Sequence, residues 1–158
     1  MKDYQKTMHV NRPVSQVYAA ITEQISDWWT NDLTGAAACK GDSFNIGFDE
    51  TRKTMLIAEA IPNEQVVWKC TKAYIDMSSL KNKAEWIGTR MIWTFSTTNQ
   101  GTTIHFLHEG LNKNLECYHV CEDGWDSFLA SLQAYLTTGK GSPFLKAAKE
   151  NLEEKTIA

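Results

Sequence analysis

The feature that most constrains this chain is a long apolar stripe near its C-terminal end. Apolar residues recur there at steps of three and four, which is the spacing of one face of an α-helix. The stripe predicts a helix from about residue 116 to 138, ending where Gly139 can take a left-handed cap. A helix of that length spans roughly 34 Å, enough to cross a sheet from corner to corner. The stripe consists of Cys117, Cys121, Trp125, Phe128, Leu132, Tyr135 and Leu136.

The sequence before this helix predicts an antiparallel sheet of about six strands. A weakly alternating segment over residues 3–10 leads to Pro13, which suits the first turn of a helix from about 14 to 23. A second short helical turn carries Trp28 and Trp29. Further strands are predicted where Val, Ile, Thr, Trp and Phe are frequent and turn residues lie between. They cover residues 43–49, 53–61, 65–75, 85–98 and 102–110.

Alternation within these strands assigns one face to the long helix. Side chains two residues apart point to the same side of a strand. The segment 53–61 resists the assignment, because it has apolar residues at both parities. In the others the inward sets are Phe44, Ile46 and Phe48; Val66, Trp68 and Cys70; Met91, Trp93 and Phe95; and Ile104, Phe106 and His108.

Length, charge and cysteine use limit the class of protein. The 158 residues fit one domain, 1–158, in which 142–158 form a C-terminal extension with a short helix around Phe144, Leu145 and Ala148. A formal charge of −3 without a long basic cluster argues against a nucleic-acid partner. The sequence predicts neither a membrane span nor a signal peptide. We therefore expect a soluble cytoplasmic protein whose cysteines are reduced thiols.

The inward-facing aromatic residues are the candidate ligand site. Large aromatic side chains can line a cavity as well as fill a core, and both interpretations remain open. Gly124 predicts room on the long helix, either for close packing or for a ligand. The candidate ligand-binding residues are Trp68, Trp93, Phe95, Phe106, His108, Trp125 and Phe128.

Catalytic and metal chemistry have weaker support in the sequence. His108 is the best candidate acid or base, although a histidine on an inward strand is usually a hydrogen-bonded core residue. Cys117, His119 and Cys121 carry zinc-binding atoms, but their spacing on one helix does not match a structural zinc site. We predict no metal and no cofactor, and we expect a protein that is not an enzyme.

The order of elements and several short motifs resemble the START-like superfamily, also called helix-grip, birch-pollen-allergen-like or SRPBCC. More narrowly, the chain resembles the C-terminal domain of the heat-shock-protein ATPase activator (Aha-type) homologues. The motifs run from near residue 8 to near 140. They are Pro13, Val17, Tyr18, Ala20 and Ile21; Trp28 and Trp29; Gly41 and Phe44; Glu59, Pro62, Val66, Val67 and Trp68; Glu85, Trp86, Gly88 and Thr89; Gly101, Thr102 and Thr103; His108, Glu109 and Gly110; and Gly124, Trp125, Leu129 and Leu132.

The resemblance implies a curved sheet that wraps around the long helix and leaves a cavity between them. Three functions follow as hypotheses. The first is non-enzymatic binding of a small hydrophobic or aromatic molecule. The second is a chaperone-associated or stress-response module that binds a protein, and the third is a cyclase or hydrolase that uses His108 and a carboxylate. The ligand and the choice between monomer and homodimer stay open.

Overall fold

The computed structural model describes residues 2–146, in which seven antiparallel strands form one sheet and a long helix covers one face of it. A short 3-10 helix, Ile25–Asp27, follows the first α-helix. The strands are β1 Tyr4–Val10, β2 Leu33–Gly35, β3 Ser43–Phe48, β4 Thr51–Ile61, β5 Gln65–Tyr74, β6 Arg90–Thr98 and β7 Gly101–Glu109, and the helices are α1 Val14–Thr22 and α2 Tyr118–Thr138.

The strand order is β1-β7-β6-β5-β4-β3-β2, so each strand from β2 to β7 pairs with its neighbour along the chain and β1 closes beside β7. This curved sheet with α2 on it is the helix-grip fold that the sequence predicts. The structure adds the short strand β2 to the predicted sheet of about six, because β2 has three residues and no periodicity can be recognised over that length. The predicted strand 85–98 begins later, at Arg90, because residues 85–89 belong to the loop before it.

The predicted inward faces are confirmed by burial and register. Trp93 on β6 lies opposite Phe106 on β7 and opposite Val66 on β5, and all three side chains are fully buried. Met91 lies opposite His108 in the same way. The inner face of the sheet is therefore a continuous apolar layer beneath α2, to which β7 contributes one buried histidine.

A bulge explains why β4 has apolar residues at both parities. Lys53, Met55 and Ile57 are buried on the inner face, and the pairing with β5 then shifts between Ile57 and Glu59. A bulge moves the following residues by one position, so Ala60, of the other parity, packs against the core. The unexpected member of the inward set is Lys53.

The two ends of α2 are fixed differently. Gly139, in the left-handed conformation with φ of 85°, ends the helix as predicted, and its N–H bonds to the Tyr135 carbonyl. At the other end, the Glu85 carboxylate accepts the N–H groups of Glu116 and Cys117, each at 3.0 Å. A carboxylate stabilises a helix N-terminus by accepting N–H groups that lack helical partners. This contact also ties the loop between β5 and β6 to α2.

The C-terminal extension differs from its prediction as far as the structure describes it. Residues 142–146 form no helix; Phe144 instead bridges to Thr30 in a parallel arrangement. The remainder of the predicted appended helix, with Ala148, and the polar tail lie outside the described residues.

Candidate ligand pocket

The centre of the sheet–helix interface is a closely packed aromatic cluster. The ring centroids of Trp93 and Phe106 are 4.4 Å apart, and those of Phe106 and Trp125 are 4.5 Å apart. Trp68 contacts Trp93 edge-on at 5.2 Å. Such edge-to-face and tilted contacts add to the free energy of burying the rings. The cluster fills the middle of the interface.

His108 is built into this core by hydrogen bonds on both ring nitrogens. The indole N–H of Trp125 donates to Nδ1 of His108 at 3.0 Å. Because Nδ1 accepts, Nε2 carries the proton of the neutral ring and donates it to the Thr89 hydroxyl at 2.9 Å. That hydroxyl donates in turn to the Trp86 carbonyl at 2.7 Å. Each polar atom in this series of hydrogen bonds has a partner, so neither nitrogen of His108 is free to act on a ligand.

Burial is the larger cause, and the positive charge of Lys53 the smaller, of a shift that lowers the pKa of His108 to about 3. The histidine is fully buried, and protonation would cost it the Nδ1 acceptor that Trp125 uses. The ring is thus neutral at physiological pH and ties β7 to α2.

A pocket of about 250 Å³ opens to solvent beside the aromatic cluster, toward the N-terminal half of α2. Its walls come from β4, α2, the loop of residues 75–89 (the β5–β6 loop) and the residues around Trp29 and Phe48. Most of these side chains are apolar or aromatic, which is the usual composition of small-molecule sites. The lining residues are Trp29, Phe48, Thr51, Lys53, Ile75, Met77, Trp86, Val120, Cys121, Gly124, Trp125 and Phe128.

Gly124 keeps this pocket open. Apart from its chain neighbours and the backbone of its own helix, a Cβ atom built at Gly124 would meet no atom within 4 Å, so the missing side chain leaves free space. A glycine inside a helix costs about 0.5–1 kcal/mol relative to alanine. Of the two roles that the sequence leaves open for Gly124, the structure supports room in the pocket over close packing.

The β5–β6 loop forms one wall through Trp86 and is held at two points. Glu85 caps α2, and the Glu116 carboxylate accepts the N–H groups of Lys81 and Asn82 at 3.1 and 3.2 Å. Trp86 follows directly after the Glu85 anchor, and its indole N–H donates to the Cys121 sulfur at 3.2 Å. Trp86 is therefore fixed against α2, and the loop is part of the site.

Two of the predicted ligand-binding residues, Trp125 and Phe128, line the pocket. The others lie in the core and do not line it: Trp68, Trp93, Phe95, Phe106 and His108.

Lys53, Trp86 and Cys121 line the pocket but are not among the residues that the sequence predicts for the site. Lys53 carried a recognisable signal, because it is in phase with Met55 and Ile57 and so places a charge on an apolar face. Trp86 carried no such signal, because a loop residue has no periodicity that assigns it to a face.

A second depression, of about 400 Å³, lies between α1 and the C-terminal end of α2. Its walls mix polar residues, among them Arg12, Gln16 and Gln24, with apolar ones such as Leu136. It has much less apolar surface than the aromatic pocket, and we therefore assign the candidate site to the aromatic pocket.

A curved antiparallel sheet that grips a long C-terminal helix defines the START-like class, a fold of ligand-binding or chaperone-associated proteins. Within this class, the family model described as "Activator of Hsp90 ATPase homolog 1-like protein" matches residues 11–137. The chain belongs to this family. None of the helices in residues 2–146 has the length and hydrophobicity to span a membrane.

Solved structures similar to this chain come from several bacteria. One is described as the Aha1 dimer from Colwellia psychrerythraea, with 25% identity and a TM-score of 0.73 over 89% of this chain and 100% of that one. A protein from Mesorhizobium loti has 17% identity and a TM-score of 0.70 over 85% of this chain and 96% of that one. A Staphylococcus saprophyticus protein has 16% identity and a TM-score of 0.67, covering 90% and 98% of the two chains. No curated protein matches the chain.

The first prediction concerns the tryptophan that holds His108. Trp125→Phe leaves Nδ1 of His108 buried without a donor, which costs about 1–3 kcal/mol. Trp93→Phe is the matched control, because the indole nitrogen of Trp93 has no acceptor among the described residues. We expect Trp125→Phe to lower the free energy of unfolding by about 1–3 kcal/mol more than Trp93→Phe does in urea titrations. Equal losses would contradict the proposed importance of this hydrogen bond.

The second prediction concerns acid pH. The unfolded protein binds a proton at His108 below about pH 6.5, whereas the folded protein does so only near pH 3. The contribution of the neutral His108 ring to the free energy of unfolding is therefore fully present above about pH 6.5 and is lost as the pH falls toward about 3. Between pH 7 and pH 5 this residue should remove about 2 kcal/mol from the free energy of unfolding.

The variant His108→Gln isolates this effect from the protonation of carboxylates, which both proteins share. Its free energy of unfolding should fall by about 2 kcal/mol less than that of the wild type between the same two pH values. Parallel pH profiles for the two proteins would show that His108 is not a buried neutral ring.

Proposed function

We propose that this protein is a non-enzymatic binding protein that holds a small hydrophobic or aromatic molecule in the aromatic pocket. The observation that carries the proposal is an open pocket in an interface that is otherwise filled. Its volume of about 250 Å³ compares with roughly 150 Å³ for an engineered apolar cavity that binds benzene. A ligand body of one or two small rings is therefore of suitable size.

Two further features support binding over catalysis. Both nitrogens of His108 are engaged in the core, so the best candidate acid or base does not face the pocket. The cost of a helical glycine at Gly124 is explained if the space that it leaves accepts a ligand.

We further propose a cytoplasmic location, in which the free thiols of Cys70, Cys117 and Cys121 stay reduced.

A chaperone-associated role is the second candidate, and the family to which the chain belongs favours it. Half-exposed apolar side chains at the mouth of the pocket would serve such a role, namely Val120, which lines it, and Ile87 beside Trp86, which are 52% and 51% exposed. This role requires an exposed surface, whereas ligand binding requires the interior of the pocket. A change that fills the pocket therefore separates the two.

A larger side chain at position 124 should fill the pocket. Gly124→Leu places four carbon atoms in the free space, and leucine is the better helix former, so the fold should be retained. The wild type should bind the neutral two-ring fluorophore 2-naphthol saturably, and Gly124→Leu should weaken binding about tenfold or more. Fluorescence titration measures both.

The control for this experiment is Ala130→Leu, because Ala130 is exposed on the same helix and does not line the pocket. Its affinity for the probe should equal that of the wild type. Unchanged affinity in Gly124→Leu, or no saturable binding by the wild type, would contradict the proposed function. Binding of the chaperone Hsp90 by both the wild type and Gly124→Leu would then favour the second candidate.

A further inference from the structure

One charged side chain lies in the wall of the aromatic pocket. Among the residues of 2–146 that line the pocket, Lys53 alone carries a charge. It occupies an inward position of β4 and is 9% exposed. A lysine buried to that extent is rare unless its ammonium group is paired, because removing the charge from water is costly.

The ammonium group of Lys53 lies against aromatic rings and not against a carboxylate. Its Nζ is 3.4 Å from the centroid of the Trp86 ring and 5.8 Å from that of Phe48. None of the ion pairs formed within residues 2–146 includes Lys53. The ring of Trp86 attracts a cation through its π-electrons, but it does not neutralise the charge.

The titratable groups near Lys53 are three thiols and the neutral ring of His108. Burial lowers the pKa of Lys53, and the neighbouring Cys121, Cys70 and Cys117 partly offset this effect. Cys121 also lines the pocket; a hydrogen bond with the Cys117 thiol, the positive charge of Lys53 and the Trp86 N–H lower the pKa of the Cys121 thiol. Cys121 is thus the one internal group that could act as a counter-charge, and the test must separate it from a ligand.

We propose that the pocket selects ligands with a carboxylate group, which pairs with the Lys53 ammonium while the aromatic or apolar body lies against the surrounding rings. This inference rests on the proposed function and narrows its ligand class. A bound carboxylate supplies an ion-pair partner that no carboxylate of the described residues provides, and it favours the charged form of the lysine. The body of the ligand contacts Trp29, Phe48, Trp125 and Phe128, which line the same space.

The anchored position of Trp86 makes this arrangement specific. Its indole N–H is held by Cys121, so the ring stays beside Nζ of Lys53. The Trp86 ring and the strand β4, which carries Lys53, therefore fix the position of the ammonium group. A fixed charge in a nonpolar wall orients a ligand, since the carboxylate can occupy one end of the pocket and the rings the other.

The test uses matched acids and amides that differ in charge and hardly in shape. The pairs are phenylacetate with phenylacetamide and 2-naphthoate with 2-naphthamide, titrated by calorimetry at pH 7.5. The wild type should bind the better acid at least about tenfold more tightly than its amide. Lys53→Met, which keeps a flexible side chain of similar length, should abolish this preference and leave the affinity for the amide within about threefold.

Four further outcomes are decisive. If acid and amide bind equally to the wild type while Gly124→Leu binds neither, the inference is wrong and the proposed function stands. If the wild type binds none of the four compounds, both are overturned. If Cys121→Ala raises affinity for the acid, the thiol competes for Lys53 and the inference is supported, whereas a loss of the acid preference in Cys121→Ala would assign the selectivity to the thiol and overturn the role of Lys53.

Folding is controlled in the same set of proteins. Replacement of a buried charged group by an apolar side chain of similar volume is often neutral or stabilising. The thermal midpoint of Lys53→Met should therefore equal or exceed that of the wild type. A loss of acid binding with an unchanged midpoint and unchanged amide binding belongs to the charge and not to a damaged pocket.

Discussion

The hydrogen bond between Trp125 and His108 joins the long helix to the sheet, and the arrangement of the interface depends on it. Trp125 reaches from α2 into the aromatic cluster, and its N–H ends on the neutral ring of a histidine in β7. The same histidine is held from its other side by Thr89, at the end of the β5–β6 loop. Helix, sheet and loop therefore meet at one buried ring, where a lost hydrogen bond is costly.

This joint divides the interface into a filled part and an open part. Around Trp93 and Phe106 the rings pack without room for a ligand. On the other side of Trp125, the absence of a side chain at Gly124 and the position of Trp86 leave a pocket with Lys53 in its wall. The packing that stabilises the fold and the space that could bind a ligand thus share one tryptophan, which explains why an open pocket is compatible with a well-packed core.

The sequence predicted the parts of the fold that repeat and missed those that depend on a single contact. The stripe on α2 and the alternation in β3, β5, β6 and β7 give clear signals, because each includes several residues in phase. The strand β2 is too short for such a signal, and the bulge after Ile57 hides the period of β4. The large inward aromatic residues were predicted as ligand contacts on periodicity alone. Periodicity gives the direction of a side chain, but it does not say whether the space in front of that side chain is filled.

The wall formed by the β5–β6 loop could not be derived from sequence patterns. Trp86 reaches the pocket because Glu85 caps a helix that begins about thirty residues later, and this pairing leaves no local trace. Lys53 is the instructive exception. A charge in phase with buried residues marks either an error in the strand assignment or a functional position, and here the strand assignment holds.

The most direct test of this account is a crystal structure of the protein with 2-naphthoate. We expect the naphthalene ring between Trp125 and Phe48, beside Gly124, with the carboxylate within hydrogen-bonding distance of Nζ of Lys53, about 2.7–3.2 Å. Electron density for the ligand in the depression near Arg12, or in the pocket with its carboxylate directed away from Lys53, would contradict the proposed pairing of a carboxylate with Lys53.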